Sequence, residues 1–289
     1  MEECGDQEER VLVHFGVAYS FSHEKIRQVV HRRAFGVLEG GGAPPTELAR
    51  HALAGGLWDE AFGYSVATGD EAVEMFAVRD AIVHYERARG VVDTVQRPGG
   101  GSELSIPVLE HLYTQLGRVY ELTDEWEKAR AAYETMLVIA REAGVARLEV
   151  VSLNHLAAFL FQYEGDLATA RTLLEEALKV AEEAGLKEAL AETECNLADV
   201  TGLWTGDFEH SWAPVEKALT SARDPERPDL MARALTALTR LKLFAGRLEE
   251  AAAHAGEGAA LSRELADRPA AARTELPSIL AGAVGLSAS

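Results

Sequence analysis

LTDEWEKARAAY (122–133), YEGDLATARTLL (163–174), WTGDFEHSWAPV (204–215) and FAGRLEEAAAHA (244–255) align as four copies of one turn. Each passes through an aspartate or glycine into a second helix that opens on a small residue: Ala129, Ala170, Ser211 or Ala251. From 129 to 170, 170 to 211 and 211 to 251 the steps are 41, 41 and 40 residues. A fixed period of this size predicts an all-α array of stacked helical hairpins, since one hairpin cannot bury its apolar face alone. Arrays of this kind bind partners more often than they catalyse reactions.

Around the turns, four regular hairpins are expected at about 107–144, 147–185, 187–223 and 228–266. Their first helices carry a core triplet: Leu116–Gly117–Tyr120, Leu156–Ala157–Leu160, Leu197–Ala198–Thr201 and Ala237–Leu238–Leu241. Their second helices carry a small–bulky–small set such as Ala170–Leu174–Ala177 or Ser211–Val215–Ala218. Residues three and four apart share a helix face, so the small ones mark where paired helices touch. In a right-handed superhelix the other face of the first helices lines a concave groove. Counting from the triplets, that groove takes Thr114, Arg118 and Glu121, then Asn154, Ala158, Phe161 and Gln162. It continues with Cys195, Asp199 and Leu203, and with Leu235, Thr239 and Lys242. Polar anchors mixed with apolar contacts suit an extended or helical peptide.

Composition narrows the function. The net charge of −19, from 47 acidic and 28 basic residues, repels phosphate backbones and argues against nucleic-acid binding. Cys4 and Cys195 are too few and too distant for a disulfide framework. No apolar run is long enough to span a membrane, and MEECGDQEER at the start lacks the features of a secretion signal. The cytoplasm is the expected location. The nine histidines are dispersed, without the i, i+4 spacing of a helical metal site. No nucleophile elbow or catalytic carboxylate pair stands out. The chain therefore reads as a non-enzyme with no cofactor or metal. Trp58, Trp126 and Trp204 fit hairpin packing, and Trp212 a partly exposed position.

The flanks differ from the array. VLVHF (11–15) and AYSF (18–21) read as a short β-hairpin, followed by a helix capped by Ser22. On that helix Ile26, Val29, Val30, Ala34, Val37 and Leu38 recur at helical spacing. GGGAPP (40–45) ends this unit, and Thr46 caps the next helix. RPGGGS (97–102) is a second break. The apolar tail from 269 offers one helix without a partner, as in a fragment or in an array whose end is covered by something else.

The segment LGRVYELTDEWEKARAAYETML (116–137) resembles the tetratricopeptide repeat, and the resemblance extends over about 46–268. It implies a tetratricopeptide-like solenoid. The spacing of 40–41 residues, longer than the family's usual repeat, resembles the tetratricopeptide-like domains of bacterial signalling ATPases. A second resemblance lies upstream. AYSFSHEKIRQVV (18–30), HRRAFGVLE (31–39) and the stretch 47–88 look like a junction in multidomain signal-transducing NTPases. There a winged-helix domain ends in a β-hairpin wing, followed by a helix with the pattern F-x-H-x-x-x-R. Phe21, His23 and Arg27 match it, HRRA (31–34) matches the second helix, and Glu47, Ala49 and His51 match the start of the array. The resemblance implies a winged-helix remnant over 1–45 and a repeat array over 46–289. Where the family separates two helices, Val30 here runs straight into His31, so one merged helix is expected. No phosphate-binding G-x-x-x-x-G-K-[ST] occurs, and GGGSEL (99–104) lacks the lysine. What the resemblance implies is a regulatory arm that captures a protein, peptide or small effector and relays it to an ATPase module. The alternative is a free-standing tetratricopeptide adaptor.

Overall fold

The computed structural model describes residues 23–95, 105–223 and 227–266. Among them every regular element is helical and no strand occurs. The expected β-hairpin, the Ser22 cap, the RPGGGS break and the apolar tail lie outside the described residues.

The chain forms two compact units, one up to Leu112 and one from Tyr113. The first holds α1 (23–40), α2 (Pro45–Gly55), α3 (Trp58–Glu74) and α4 (Val78–Val95). Helix α1 runs unbroken through Val30 and His31. Its apolar spacing does not become a core face: Ile26, Val29, Val30 and Val37 are exposed. It docks instead through Phe35, edge-on to Tyr64 at 5.9 Å, and through Arg32. The Arg32 Nε donates to the Gly55 carbonyl at 2.6 Å, satisfying an open carbonyl at the end of α2. Helix α2 starts one residue before the expected Thr46 cap, with Pro45 at its first position. The proline ring presets the helical φ and has no N–H to leave unbonded.

Helices α3 and α4 repeat the packing of the regular array, which sequence periodicity does not reveal. Gly69 faces the ring of Tyr85, and a Cβ there would collide with it. The Tyr85 hydroxyl donates to Asp70 at 2.6 Å, and His111 Nε2 lies 2.9 Å from the same carboxylate. The turn between them places Phe76 at φ 58°, in the left-handed region that a bulky side chain rarely adopts. Phe76 is almost fully exposed, so its ring compensates with no burial. Phe76→Gly is expected to raise unfolding stability by about 1 kcal/mol. A urea midpoint equal to or below that of the wild type would contradict the strain.

The second unit comprises the C-terminal part of α5 (Ile106–Glu121), then α6 (Trp126–Ala143), α7 (Ala146–Phe159), α8 (Leu167–Glu183) and α9 (Lys187–Thr205). It continues through α10 (Phe208–Ala222), α11 (Pro228–Phe244) and α12 (Leu248–Ala266). Helices α7, α9 and α11 are neighbours; α8 packs on α7 and α9, and α10 on α9 and α11. The small residues stand where helices touch: Ala129 and Ala170 have no exposed surface, and Ser211 and Ala251 are buried. Asp124, Gly165, Gly206 and Gly246 all take the left-handed conformation that reverses the chain. The last turn of the α7 rod, Leu160–Glu164, widens into a π turn closed by the Gly165 N–H on the Leu160 carbonyl. That turn sets the direction of Phe161 and Gln162.

Candidate functional site

Helices α7, α9 and α11 line a small cleft open to solvent. Its apolar wall is Ala158, Phe161, Leu174, Val200 and Ala237; its polar wall is Gln162, Asn196, Asp199, Arg233, Thr236 and Arg240. Ala158, Asp199 and Arg240 hold one position of the repeat, 41 residues apart from 158 to 199 and from 199 to 240.

Ion pairs and stacking fix the polar wall. Arg240 reaches Asp199 Oδ2 at 3.2 Å, and its guanidinium lies over the Phe161 ring, 4.7 Å from the centroid. Arg233 pairs with Glu192 at 3.2 Å. Asn154, buried on α7, donates to the Val150 carbonyl and to Thr193 Oγ1, and accepts from Asn196 Nδ2 at 2.8 Å. This chain of bonds fixes the amide plane of Asn196 at the cleft wall. Two buried polar atoms of the wall have no hydrogen-bond partner: the Asp199 Oδ1 acceptor and the Arg233 Nε donor. The polar wall thus presents both donors and acceptors, its charges paired as Arg233–Glu192 and Arg240–Asp199. An amide, which donates and accepts, suits such a wall. Burial raises the Asp199 carboxyl to about 6 against the opposing pull of Arg240.

A second polar cluster surrounds Glu121. The Tyr133 hydroxyl donates to its Oε1 at 2.8 Å and the Tyr163 hydroxyl to its Oε2 at 3.4 Å. Burial raises the Glu121 carboxyl, while Tyr133, Arg118 and Tyr163 pull it down. The Tyr133 ring stacks flat on His155, 5.3 Å between centroids. Burial, with Arg233 and Arg118 nearby, lowers the His155 imidazole to about 3. Among the described residues no group of three or more histidine, cysteine or acidic side chains is placed to hold a metal ion.

Of the residues expected in the groove, Ala158, Phe161, Gln162 and Asp199 line the cleft. Asn154 stands behind it as the support of Asn196, and Arg118 and Glu121 belong to the tyrosine cluster. Thr114 and Leu203 are half-buried and not part of the lining. Cys195 and Leu235 are core residues, and burial pushes the Cys195 thiol up. Thr239 bonds back to the Leu235 carbonyl at 2.7 Å. Lys242 is buried between Glu216 and Glu250, at 3.3 and 3.0 Å, under the Trp212 ring. The reason is register. Ala237, Leu238 and Leu241 are all buried, but the cleft residue of α11 is Arg240, 41 residues beyond Asp199, rather than Thr239. One residue rotates a helix position by about 100°, which moves the predicted set off the cleft and brings Thr236 and Arg240 onto it. Thr236 and Arg240 are recoverable by carrying the 41-residue step from Cys195 and Asp199 of α9 into α11; Asn196 and Arg233 are not. Trp126 and Trp204 are exposed rather than packed within their hairpins, and Trp212 is half-buried beneath Lys242.

No helix among the described residues is long and apolar enough to cross a membrane. No protein-family model matches the chain, and no curated protein does. Solved structures do. The Rap conjugation gene regulator of plasmid pLS20, solved with the Phr* peptide, is 18% identical with a TM-score of 0.57, over 75% of this chain and 56% of that one. The chain thus spans little more than half the length of that regulator. A Rap protein complexed with competence and sporulation factor is 15% identical with a TM-score of 0.56, over 90% of this chain and 73% of that one. BtubC from P. vanneervenii is 18% identical with a TM-score of 0.51, over 85% of this chain and 93% of that one. At such identities the likeness is one of fold, and that fold is a tetratricopeptide-like array of helical hairpins.

Proposed function

We propose that the chain is a non-catalytic regulatory scaffold that binds a peptide or a peptide-like segment of a protein in the α7–α9–α11 cleft. The observation that carries this reading is the mixed lining of the cleft, with Phe161, Ala158 and Ala237 beside Asn196, Thr236 and Arg240. A peptide bond offers a carbonyl and an N–H to the polar wall, and the Phe161, Ala158 and Ala237 wall takes an apolar side chain beside it. The two Rap structures with bound peptides support the class of ligand. The resemblance of residues 18–88 to a signalling-NTPase junction supports a role as the arm of an ATPase in the cytoplasm. An NTPase-coding sequence upstream of this segment would favour that arm. Its absence would favour the free-standing adaptor.

Screening an immobilised library of short peptides tests the cleft. Peptides enriched by the wild type are expected to bind Asn196→Ala and Arg240→Gln about tenfold or more weakly, the cost of a lost buried hydrogen bond or ion pair. Equal retention by both variants, or no enrichment by the wild type, would sink the assignment. ATP turnover by the purified chain would overturn the non-catalytic reading.

A further inference from the structure

Apolar side chains recur on the surface at the hairpin turns with the period of the core. Leu122, Tyr163, Trp204 and Phe244 each stand two residues before a left-handed turn residue, Asp124, Gly165, Gly206 or Gly246. They are 60%, 43%, 51% and 60% exposed. Two residues beyond each turn stand Trp126, Leu167, Phe208 and Leu248, of which Trp126 and Leu248 are 38% and 63% exposed. The two rows meet between the first and second hairpins and between the third and fourth. Trp126 meets Tyr163 at 4.5 Å, and Phe208 stacks on Phe244 at 6.2 Å. The result is an apolar ribbon along the turn edge of the second unit. Isolated exposed apolar residues are ordinary, but a periodic row of paired ones is the mark of a contact surface.

Charge selects the occupant. The turns add Asp124, Glu164, Asp166, Asp207, Glu209 and Glu249 beside the ribbon. Asp166 and Asp207 cap α8 and α10, so part of this charge serves helix ends. The neighbouring cations Lys128, Arg130 and Arg247 pair with Glu125, with Glu134 and Glu164, and with Glu209 and Glu250, and are outnumbered by the acids beside the ribbon. The rim is therefore acidic, on a chain of net charge −19 that repels a second copy of itself and an anionic bilayer alike. We propose that the ribbon docks an amphipathic helix whose apolar face is flanked by lysine or arginine. The apolar face covers the aromatic rows, and the flanking cations meet the acidic rim.

Synthetic helices of about five turns test this: an amphipathic Leu/Lys peptide, its Leu/Glu counterpart and a Leu/Lys peptide of scrambled order. The amphipathic Leu/Lys helix is expected to bind. Trp204→Ser/Phe244→Ser should weaken it roughly tenfold or more, and Leu122→Ser/Leu248→Ser should give a similar loss if the first pair melts early. Asn196→Ala, in the cleft, should leave the affinity unchanged, which separates this surface from the proposed peptide site. Equal binding of the scrambled peptide or of both double variants overturns the proposal. So does preference for the Leu/Glu helix or for phosphatidylglycerol vesicles. A wild-type dimer that the double variants dissolve would give the ribbon to a second copy instead.

Discussion

Gly117→Ala is expected to destabilise the chain by about 2–3 kcal/mol, although alanine in an open helical position stabilises by about 0.5–1 kcal/mol over glycine. The sign reverses because a Cβ at 117 would overlap the Cζ, Cε1 and hydroxyl of Tyr133. That ring has nowhere to move. It is buried, its hydroxyl is held by Glu121, and its face lies on His155. Tyr133→Ala should cost more, about 3–5 kcal/mol, since it empties a ring-sized volume and removes a donor from Glu121. Gly90→Ala on α4 is the control: nothing lies near its added Cβ, and a small gain is expected. Urea midpoints of the three variants decide the matter. A Gly117→Ala chain as stable as Gly90→Ala would mean that the Tyr133 ring is not locked.

Acid should weaken the fold through His155, and His155→Phe should blunt that loss by about 3 kcal/mol between pH 7 and pH 4. The folded imidazole titrates near 3, below its unfolded value of about 6.5. The folded chain thus binds fewer protons in that range. Its contribution is complete above about pH 6.5 and is lost as pH falls towards 3. Phenylalanine keeps the stack on Tyr133 without the proton. Asp199 acts in the opposite direction. Its folded value of about 6 lies above the unfolded value of about 3.9. Its contribution is complete below about pH 4 and is lost as pH rises through 6. Asp199→Asn should therefore steepen the acid loss, by a comparable amount, and raise stability at pH 7. Stability curves for the two variants that overlay the wild type would refute both assignments.

How much of this was legible in the sequence differs between fold and site. The small residues 129, 170, 211 and 251 and the turn residues 124, 165, 206 and 246 mark the helix contacts and reversals directly, because only small side chains and left-handed formers fit there. The α3–α4 hairpin was not legible as a copy. Its Gly69–Tyr85 pair precedes Gly117–Tyr133 by 48 residues, outside the later period, and only the shared ring-on-glycine packing shows the kinship. On α1 the spacing of Ile26, Val29 and Val30 suggested a core face, yet the structure leaves it exposed. Periodicity shows which residues share a face, not whether anything covers it.

The sequence by itself determined the helical hairpin array: its period, its turns and the positions at which helices touch. These follow from local rules of backbone conformation and side-chain size. Tertiary structure decided the cleft. Arg240 reaches Asp199 and Phe161 only because of how α11 is set against α9 and α7. A one-residue shift of register turns every position on a helix by about 100°, so the packing of α11 decides which side chains reach the cleft. The core therefore constrains the fold strongly and the chemistry of the groove only through packing, which is why Lys242 was drawn inward and Arg240 came to line the site.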